Sequence, residues 1–377
     1  MTKPKALKLQ DVSFTYDGPP VHVIDGITLE LRQGERVAIL GESGSGKTTL
    51  VGLLAGLLAP SAGQALLGGE AINRIPAHDR NIALVLQRPP LLLGTTVHEL
   101  LRRPAKRNGF ASSTIIGDVL ERLNMPDLEN RRLTELSGGQ LQRVHIGRAL
   151  VWKPDFILLD EPFNSIDVQL KHSLYPIIRQ HQTACGSCMI LVTHDPQEAL
   201  LLCDRLVIMK DGLVIADAPA ERMLAEPPNI SAAQLIGGFA TNVVNVRLRY
   251  ETGSDLVMDS VFGTNYGCLD LGGESLQLPA ELKAVLGWSD VVGQPIDGIG
   301  SCPLPVFTTG SSRGATPGNP VLYMHQEWTF YGRPLPVGEK ATLAIAAERA
   351  LLYDAHTERL VGRFVFSGTT GCKRASR

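Results

Sequence analysis

A charge imbalance is missing from this chain. Its 36 Lys and Arg nearly balance 38 Asp and Glu, a formal net charge of −2 over 377 residues, which argues against broad electrostatic attraction to nucleic acid. A long hydrophobic run is missing too. The most apolar stretch, LVGLLAGLLAP from Leu50, stops at Pro60, well short of the ~20 residues that a spanning helix requires. The start, MTKPKALKLQDVSF, turns polar and strand-like without an apolar leader segment. These absences predict a cytoplasmic chain whose membrane role, if any, is borrowed from a partner. Of the six cysteines, only Cys185 and Cys188 form a C-x-x-C. A zinc site needs two further ligands and no second C-x-x-C exists, so the pair reads as reduced thiols beside a loop. No repeat of fixed period and no sustained heptads are present.

Hydrophobic content of 44% and charge of 20% fit a soluble globular protein, and the length points to two or three domains. Residues 7–41 read as short strands: LKLQDVSFTY alternates, DGPP turns, GITLELRQG alternates again, and RVAIL is a buried strand. After the glycines at 41, 44 and 46, Leu50, Leu53, Leu54, Leu57 and Leu58 recur at helical spacing. From about Pro89 to Leu150 the pattern is helical and more polar. FILLD and MILVTH are further buried strands separated by a helical stretch, which implies a mostly parallel sheet. RLVIMKDGLVIAD reads as a hairpin around a type I′ Asp211-Gly212 turn. Beyond about Gly237, glycine and proline become frequent and short alternating runs such as NVVNVRLRY dominate, the mark of a small all-β domain.

GESGSGKTT, Gly41 to Thr49, has the G-x-x-x-x-G-K-[ST] spacing of a phosphate-binding loop. Glycines let backbone N–H groups turn in on phosphates, and the helix that follows directs its positive end at them. Lys47 is placed to reach the β- and γ-phosphates, and the Thr48 hydroxyl to ligate Mg²⁺. The context, a buried strand before and an amphipathic helix after, separates this loop from a chance run of glycines. FILLDEP ends an apolar strand in Asp160 and Glu161. Two adjacent acids divide labour there, Asp160 toward Mg²⁺ and Glu161 as base or orienter for water. LVTHD puts His194 at a strand end, and IALVLQ puts Gln87 at another. In a parallel sheet all of these leave by one edge, the edge where ligands bind.

Taken in order, the Tyr of SFTYDG, the phosphate loop, LVLQ, LSGGQLQR, FILLDEP, NSID and VTHD resemble the nucleotide-binding subunit of an ATP-binding cassette (ABC) transporter. The likeness covers about the first 236 residues. It implies an α/β P-loop NTPase core with an antiparallel β subdomain and a helical subdomain at about 88–150. It further implies that Tyr16 stacks on adenine, and that Gly41, Ser43, Gly44, Gly46, Lys47, Thr48 and Thr49 hold the phosphates of ATP. Gln87 would meet Mg²⁺ or the attacking water, Asp160 would support the metal, Glu161 would be the catalytic base, and His194 would contact the γ-phosphate.

LSGGQ, residues 136–140, holds no group able to make or break a bond. In this family it closes the nucleotide site of the opposite subunit. Ser137, Gly138, Gly139 and Gln140 would form a second anion cradle, with a short helix starting at Gln140 behind them. One chain holds one phosphate loop and one LSGGQ, so the resemblance implies a homodimer with ATP between the copies. Asp167 would close the dimer contact in NSID, which departs from the more usual SALD at its first three positions.

The tail, 237–377, resembles the small all-β (OB/TOBE-like) regulatory domain of importer subunits for sugars, polyamines and inorganic ions. VLGWSDVV stands where many members carry a G-I-R-P-E-D-like run, and no SARNQ-like oxyanion motif is present. Iron(III), a polyamine or a sugar therefore stay open as the solute. The implied partners are two permease subunits, docked through Gln87 and RPPLLLGTTVHELL, and indirectly a solute-binding protein, at the cytoplasmic face of the membrane. The competing reading is a soluble regulatory or nucleic-acid-associated ATPase of the same family. Its one basic candidate, RRPAKR at 102–107, reads as a solvated helical face, so no nucleic acid is expected.

Overall fold

The structure, a computed structural model, describes residues 5–16, 22–107, 113–237, 241–250, 256–260, 263–270, 281–287, 291–295, 305–306, 321–325, 328–332, 341–345 and 349–366. The expected DGPP turn and residues 288–290 of VLGWSDVV lie outside them. The chain divides into two units, Met1–Glu221 and Arg222–Arg377.

The first unit begins, in chain order, with β1 (Ala6–Thr15), β2 (His22–Arg32), β3 (Arg36–Gly41), α1 (Lys47–Leu54), β4 (Ala62–Leu67) and β5 (Glu70–Ala71). Then come β6 (Ile82–Val85), α2 (Val97–Arg107), α3 (Ser113–Arg122), α4 (Gly138–Leu150), β7 (Phe156–Asp160), α5 (Val168–Cys185), β8 (Cys188–Thr193), α6 (Pro196–Leu202), β9 (Arg205–Lys210) and β10 (Leu213–Pro219). A four-stranded sheet runs β2-β1-β4-β5, and a six-stranded sheet runs β10-β9-β3-β8-β7-β6. The first is antiparallel. In the second β9, β3, β8, β7 and β6 are parallel, and only the hairpin partner β10 reverses. Asp211 and Gly212 both have positive φ, as a type I′ turn demands.

The continuous apolar runs are buried on both faces: every residue of β7 and β8 is inaccessible. The alternating strands instead contribute one face each, and Leu7, Leu9, Ile27 and Leu29 join Val37, Ile39, Leu50 and Leu54 in one core. The helix after β3 is shorter than its leucine spacing predicts. It ends at Leu54, because Gly56 takes φ 68°, and Leu57 is left 60% exposed. The RRPAKR segment lies on α2, with Arg102 and Arg103 exposed. Among the described residues no helix is long and apolar enough to cross a membrane.

α7 (Ala220–Ala225) spans the division between the units, and α8 (Ile230–Gly237) follows. The segment just before the expected boundary at about Gly237 is thus helical, and the Asn229 side chain accepts from Ala232 N at 2.8 Å to start α8. The second unit holds β11 (Thr241–Tyr250), β12 (Leu256–Ser260), β13 (Gly263–Asp270), β14 (Leu282–Gly287), β15 (Val291–Pro295), β16 (Pro305–Val306), β17 (Val321–His325), β18 (Trp328–Gly332), β19 (Ala341–Ile345), β20 (Arg349–Asp354) and β21 (Leu360–Phe366). Six of these close a barrel in the order β11-β12-β13-β21-β20-β14. Tyr353 is fully buried with Ile230 and Ala233 against Val243 and Val285, and its hydroxyl donates to Pro227 O at 3.0 Å. The all-β composition of the tail therefore corresponds to a barrel closed on itself, which leaves no unpaired edge in that sheet.

Candidate active site

Four parallel strands deliver the candidate groups to one edge. β3 ends in Gly41 and opens the glycine loop, and β7 ends in Asp160 with Glu161 next. β8 ends one residue before His194, and β6 two residues before Gln87. The sheet order places β3, β8, β7 and β6 side by side, so residues far apart in sequence share one end of the sheet.

Within the loop, Gly46 caps α1 with φ 96°. A Cβ there would also lie 2.7 Å from Val23 O, so glycine is required both by conformation and by space. Lys47 is buried, and its ammonium donates to Gly41 O at 2.8 Å and to Glu42 O at 2.7 Å. Burial lowers its pKa, while the nearby carboxylates of Glu161, Asp160 and Glu42 work the other way. Ser43, Gly44 and Thr48 are exposed around this lysine and Thr49 is buried. Tyr16 packs edge-on to Phe14 at 4.8 Å. Its hydroxyl lies 3.1 Å from Thr49 Oγ1, and the residue is 52% exposed.

Asp160 is almost wholly buried, yet its Oδ1 has no hydrogen-bond partner. Burial, and secondarily the negative Glu161, pushes its pKa up to about 6, against a hydrogen bond from Thr48 and the charge of Lys47. A buried carboxylate oxygen without a donor, beside a hydroxyl, is a hard-oxygen set that fits Mg²⁺. Such a cation would offset the desolvation.

Glu161 stands in the left-handed region, φ 43°, a conformation costing a non-glycine residue about 1–2 kcal/mol. Its N–H is held by Val192 O at 2.8 Å. Its Oε2 accepts from Gln87 Nε2 at 2.7 Å and also from Asn164 Nδ2. Its Oε1 lies 3.5 Å from His194 Nδ1. Glu161, Gln87 and His194 are thus brought into one cluster.

The turn carrying His194 is fixed from below by residues that sequence reasoning did not single out. Thr193 Oγ1 donates to Glu198 Oε2 at 2.8 Å and accepts from Asp195 N at 3.0 Å. Glu198, buried, is paired with Lys171 at 2.9 Å. Asn164 was visible only as one of the NSID departures. No local pattern marks Thr193, Glu198 or Lys171, since they lie on separate elements.

LSGGQ stands at its own helix start. α4 begins at Gly138, two residues earlier than the expected start at Gln140, because Ser137 caps it. Ser137 Oγ accepts from Gln140 N at 3.3 Å and Gln140 Oε1 accepts from Ser137 N at 2.9 Å, a reciprocal capping box. Asp167 is exposed immediately before α5, and its charge acts on the partly buried Arg143 of α4. Cys185, Cys188 and Cys203 are free thiols. Burial pushes the Cys188 and Cys203 thiols well above the usual range, and among the described residues no group of three or more His, Cys, Asp or Glu side chains gathers around them or elsewhere to hold a metal. The other three cysteine side chains lie outside the described residues.

The ABC transporter family model matches residues 24–164. Three relatives bear the name spermidine/putrescine import ATP-binding protein PotA. That of Spiroplasma citri is 35% identical over 273 residues, 70% of this chain and 77% of the relative. That of Acetivibrio thermocellus is 34% identical over 275 residues, 72% and 76%. That of Aliivibrio fischeri is 34% identical over 252 residues, 66% and 67%. Among solved structures, the dimeric MJ0796, a bacterial ABC transporter cassette, matches at 28% identity with a TM-score of 0.52, over 56% of this chain and 98% of that one. A dimeric post-hydrolysis state of MJ0796 bound to ADP and Pi matches at 26% identity with a TM-score of 0.51, with the same coverage. Likeness of this extent, on a sheet edge that gathers a phosphate loop and two acids, places the chain in the ABC transporter family, as an import-type ATPase.

Proposed function

We propose that the chain is the ATP-hydrolysing subunit of a polyamine importer. Two copies hold ATP across their junction, the phosphate loop of one facing the LSGGQ of the other. In the bound state Tyr16 turns its ring face to adenine, while Gly41, Ser43, Gly44, Gly46, Lys47, Thr48 and Thr49 surround the phosphates. Ser137, Gly138, Gly139 and Gln140 of the second copy complete the cradle, with Asp167 at the seam. Asp160, Thr48 and Gln87 hold Mg²⁺, whose chemistry is to neutralise developing charge on the phosphate oxygens. Glu161 orients a water in line with the γ-phosphorus and takes its proton. As the new P–O bond forms, the bond to the β–γ bridging oxygen breaks, and ADP and phosphate leave. His194 hydrogen-bonds the γ-phosphate and keeps it in line.

Coupling to a membrane partner falls to the loop after Gln87. Leu91, Leu92 and Leu93 are all exposed there, Leu93 at 81%, an apolar face suited to a helix of a permease subunit. Two permeases would seat the dimer on the cytoplasmic face of the membrane, with a solute-binding protein delivering substrate. Residues 1–236 act as the nucleotide-binding domain in this reading, and 237–377 as its regulatory β domain. The observation that carries the solute class is the run of three relatives, all named for spermidine/putrescine import, aligned over most of their length. The test is reconstitution of the chain with its permeases and binding protein in proteoliposomes. Uptake and hydrolysis stimulated by spermidine or putrescine support the reading. Stimulation by iron(III) or a sugar alone, or by nucleic acid without membrane, overturns it.

A further inference from the structure

One oxygen of the Glu161 carboxylate carries two amide donors from different parts of the chain. Gln87 Nε2 reaches Oε2 from the loop after β6 at 2.7 Å, and Asn164 Nδ2 reaches the same oxygen from the turn after β7. A carboxylate oxygen has two lone pairs. Oε2 is therefore filled, and Oε1, which faces His194 at 3.5 Å, is the oxygen left for a water. The two donors are not equivalent. Gln87 belongs to a separate segment 74 residues away, and in the proposed function contact with a bound cation or water would take its side chain off Glu161. Asn164 lies three residues after Glu161 on the same turn, with its own N–H 3.5 Å from Glu161 O. Being on that turn, it would travel with the carboxylate and stay if Gln87 departed. The left-handed φ of 43° at Glu161 makes such an anchor necessary, because that backbone is not what a glutamate adopts unaided.

We infer that Asn164 is a positioning residue that clamps Oε2 of Glu161 and so presents Oε1 to the attacking water throughout turnover. The clamp rests on reading Glu161 as the base. Asn164 is exposed, so its replacement does not threaten the fold.

The experiment compares Asn164→Ala, Asn164→Asp and Asn164→Ser with wild type, alone and in a Glu161→Gln background. In Asn164→Ala, kcat falls by about tenfold to a hundredfold, the worth of a hydrogen bond to a charged group. KM for ATP, and equilibrium binding of a fluorescent ATP analogue without metal, stay within about twofold. Asn164→Asp, which sets a like charge on the carboxylate, is slower still, and Asn164→Ser, which keeps a donor, recovers part of the rate. In the Glu161→Gln background Asn164→Ala adds less than about a further twofold, because the group it positions is gone. Wild-type kcat in Asn164→Ala overturns the clamp, as does a rate loss of the same size in both backgrounds or a change confined to nucleotide affinity. If Glu161→Gln alone turns ATP over near normally, the base reading falls first. If Glu161→Gln is slow while Asn164→Ala is normal, only the clamp falls.

Discussion

Gly139 stands against the main chain of Ser165: a Cβ on it would lie 2.8 Å from that carbonyl oxygen, whereas one on Gly138 would meet nothing within 4 Å. The adjacent glycines of LSGGQ therefore answer different demands. Gly139 lets α4 approach the turn that carries Asn164 and Asp167, and Gly138 leaves its own surface open. Gly139→Ala should force that turn aside and lower stability by about 1–3 kcal/mol, as overpacking does. Gly138→Ala should melt at or slightly above the wild-type temperature, since alanine is the better helix former, yet lose hydrolysis if the open face meets a phosphate. Thermal melts of the two variants in the absence of nucleotide check the first claim, and steady-state ATPase rates the second.

Replacing Glu161 by Gln removes the proposed proton acceptor while keeping the size of the side chain. ATP binding should survive, because Lys47 and the loop amides are untouched, and turnover should fall by ~10²–10⁴, the usual worth of a general base. Single-turnover hydrolysis alongside equilibrium binding separates the two quantities. A near-normal rate would remove Glu161 from that role.

The parts of this site that were legible in the sequence are those written within one element. RVAIL followed by glycines, and FILLD followed by Glu161, declare a buried strand and what it delivers, and β3 and β7 are found there. Two boundaries were misread where a local preference was overruled. The leucines at 57 and 58 continue the helical spacing, but Gly56 turns the chain at φ 68° and α1 stops at Leu54. The two glycines of LSGGQ argue against a helix, yet the Ser137–Gln140 capping box starts α4 on them. What pattern could not supply was convergence. The meeting of Gln87, Asn164 and His194 on one carboxylate depends on sheet order and on a single positive φ at Glu161, neither of which leaves a mark at any one position.

Ser137 has a measurable structural duty besides its proposed contact with nucleotide. As the N-cap of α4 it accepts from Gln140 N, so Ser137→Ala should cost about 1 kcal/mol of stability. Ser137→Arg tests the shared site instead. In an equal mixture with wild type, random pairing in a twofold assembly would place about half of the wild-type chains opposite a defective one. If hydrolysis needs both copies, activity per wild-type chain should fall to about half. Full activity per wild-type chain in a mixture shown to exchange subunits would contradict the need for both sites, because a mixed pair still forms one intact site.

Stability should fall in mild acid, and the buried His145 and the partly buried His181 supply the reason. His145 of α4 is inaccessible and its Nε2 has no partner, and burial, helped by Arg148, lowers its pKa from 6.5 to about 4. Burial does the same to His181 of α5, also to about 4, against a hydrogen bond with Trp152 that raises it. As pH drops below 6.5 the unfolded chain takes up protons that the folded chain refuses until about 4. The stability present above the upper value is therefore lost progressively across that window. Asp160 runs the other way: held up at about 6, it keeps its proton in the folded chain after the unfolded chain has lost it, which favours the folded state on the acid side. The net slope mixes both signs, so the informative measurement is a difference. Melting temperatures of wild type and His145→Gln from about pH 7 to about pH 5 should converge as the medium becomes more acidic, because only wild type carries the His145 penalty. Parallel curves would show that His145 is protonated in the folded chain at no cost.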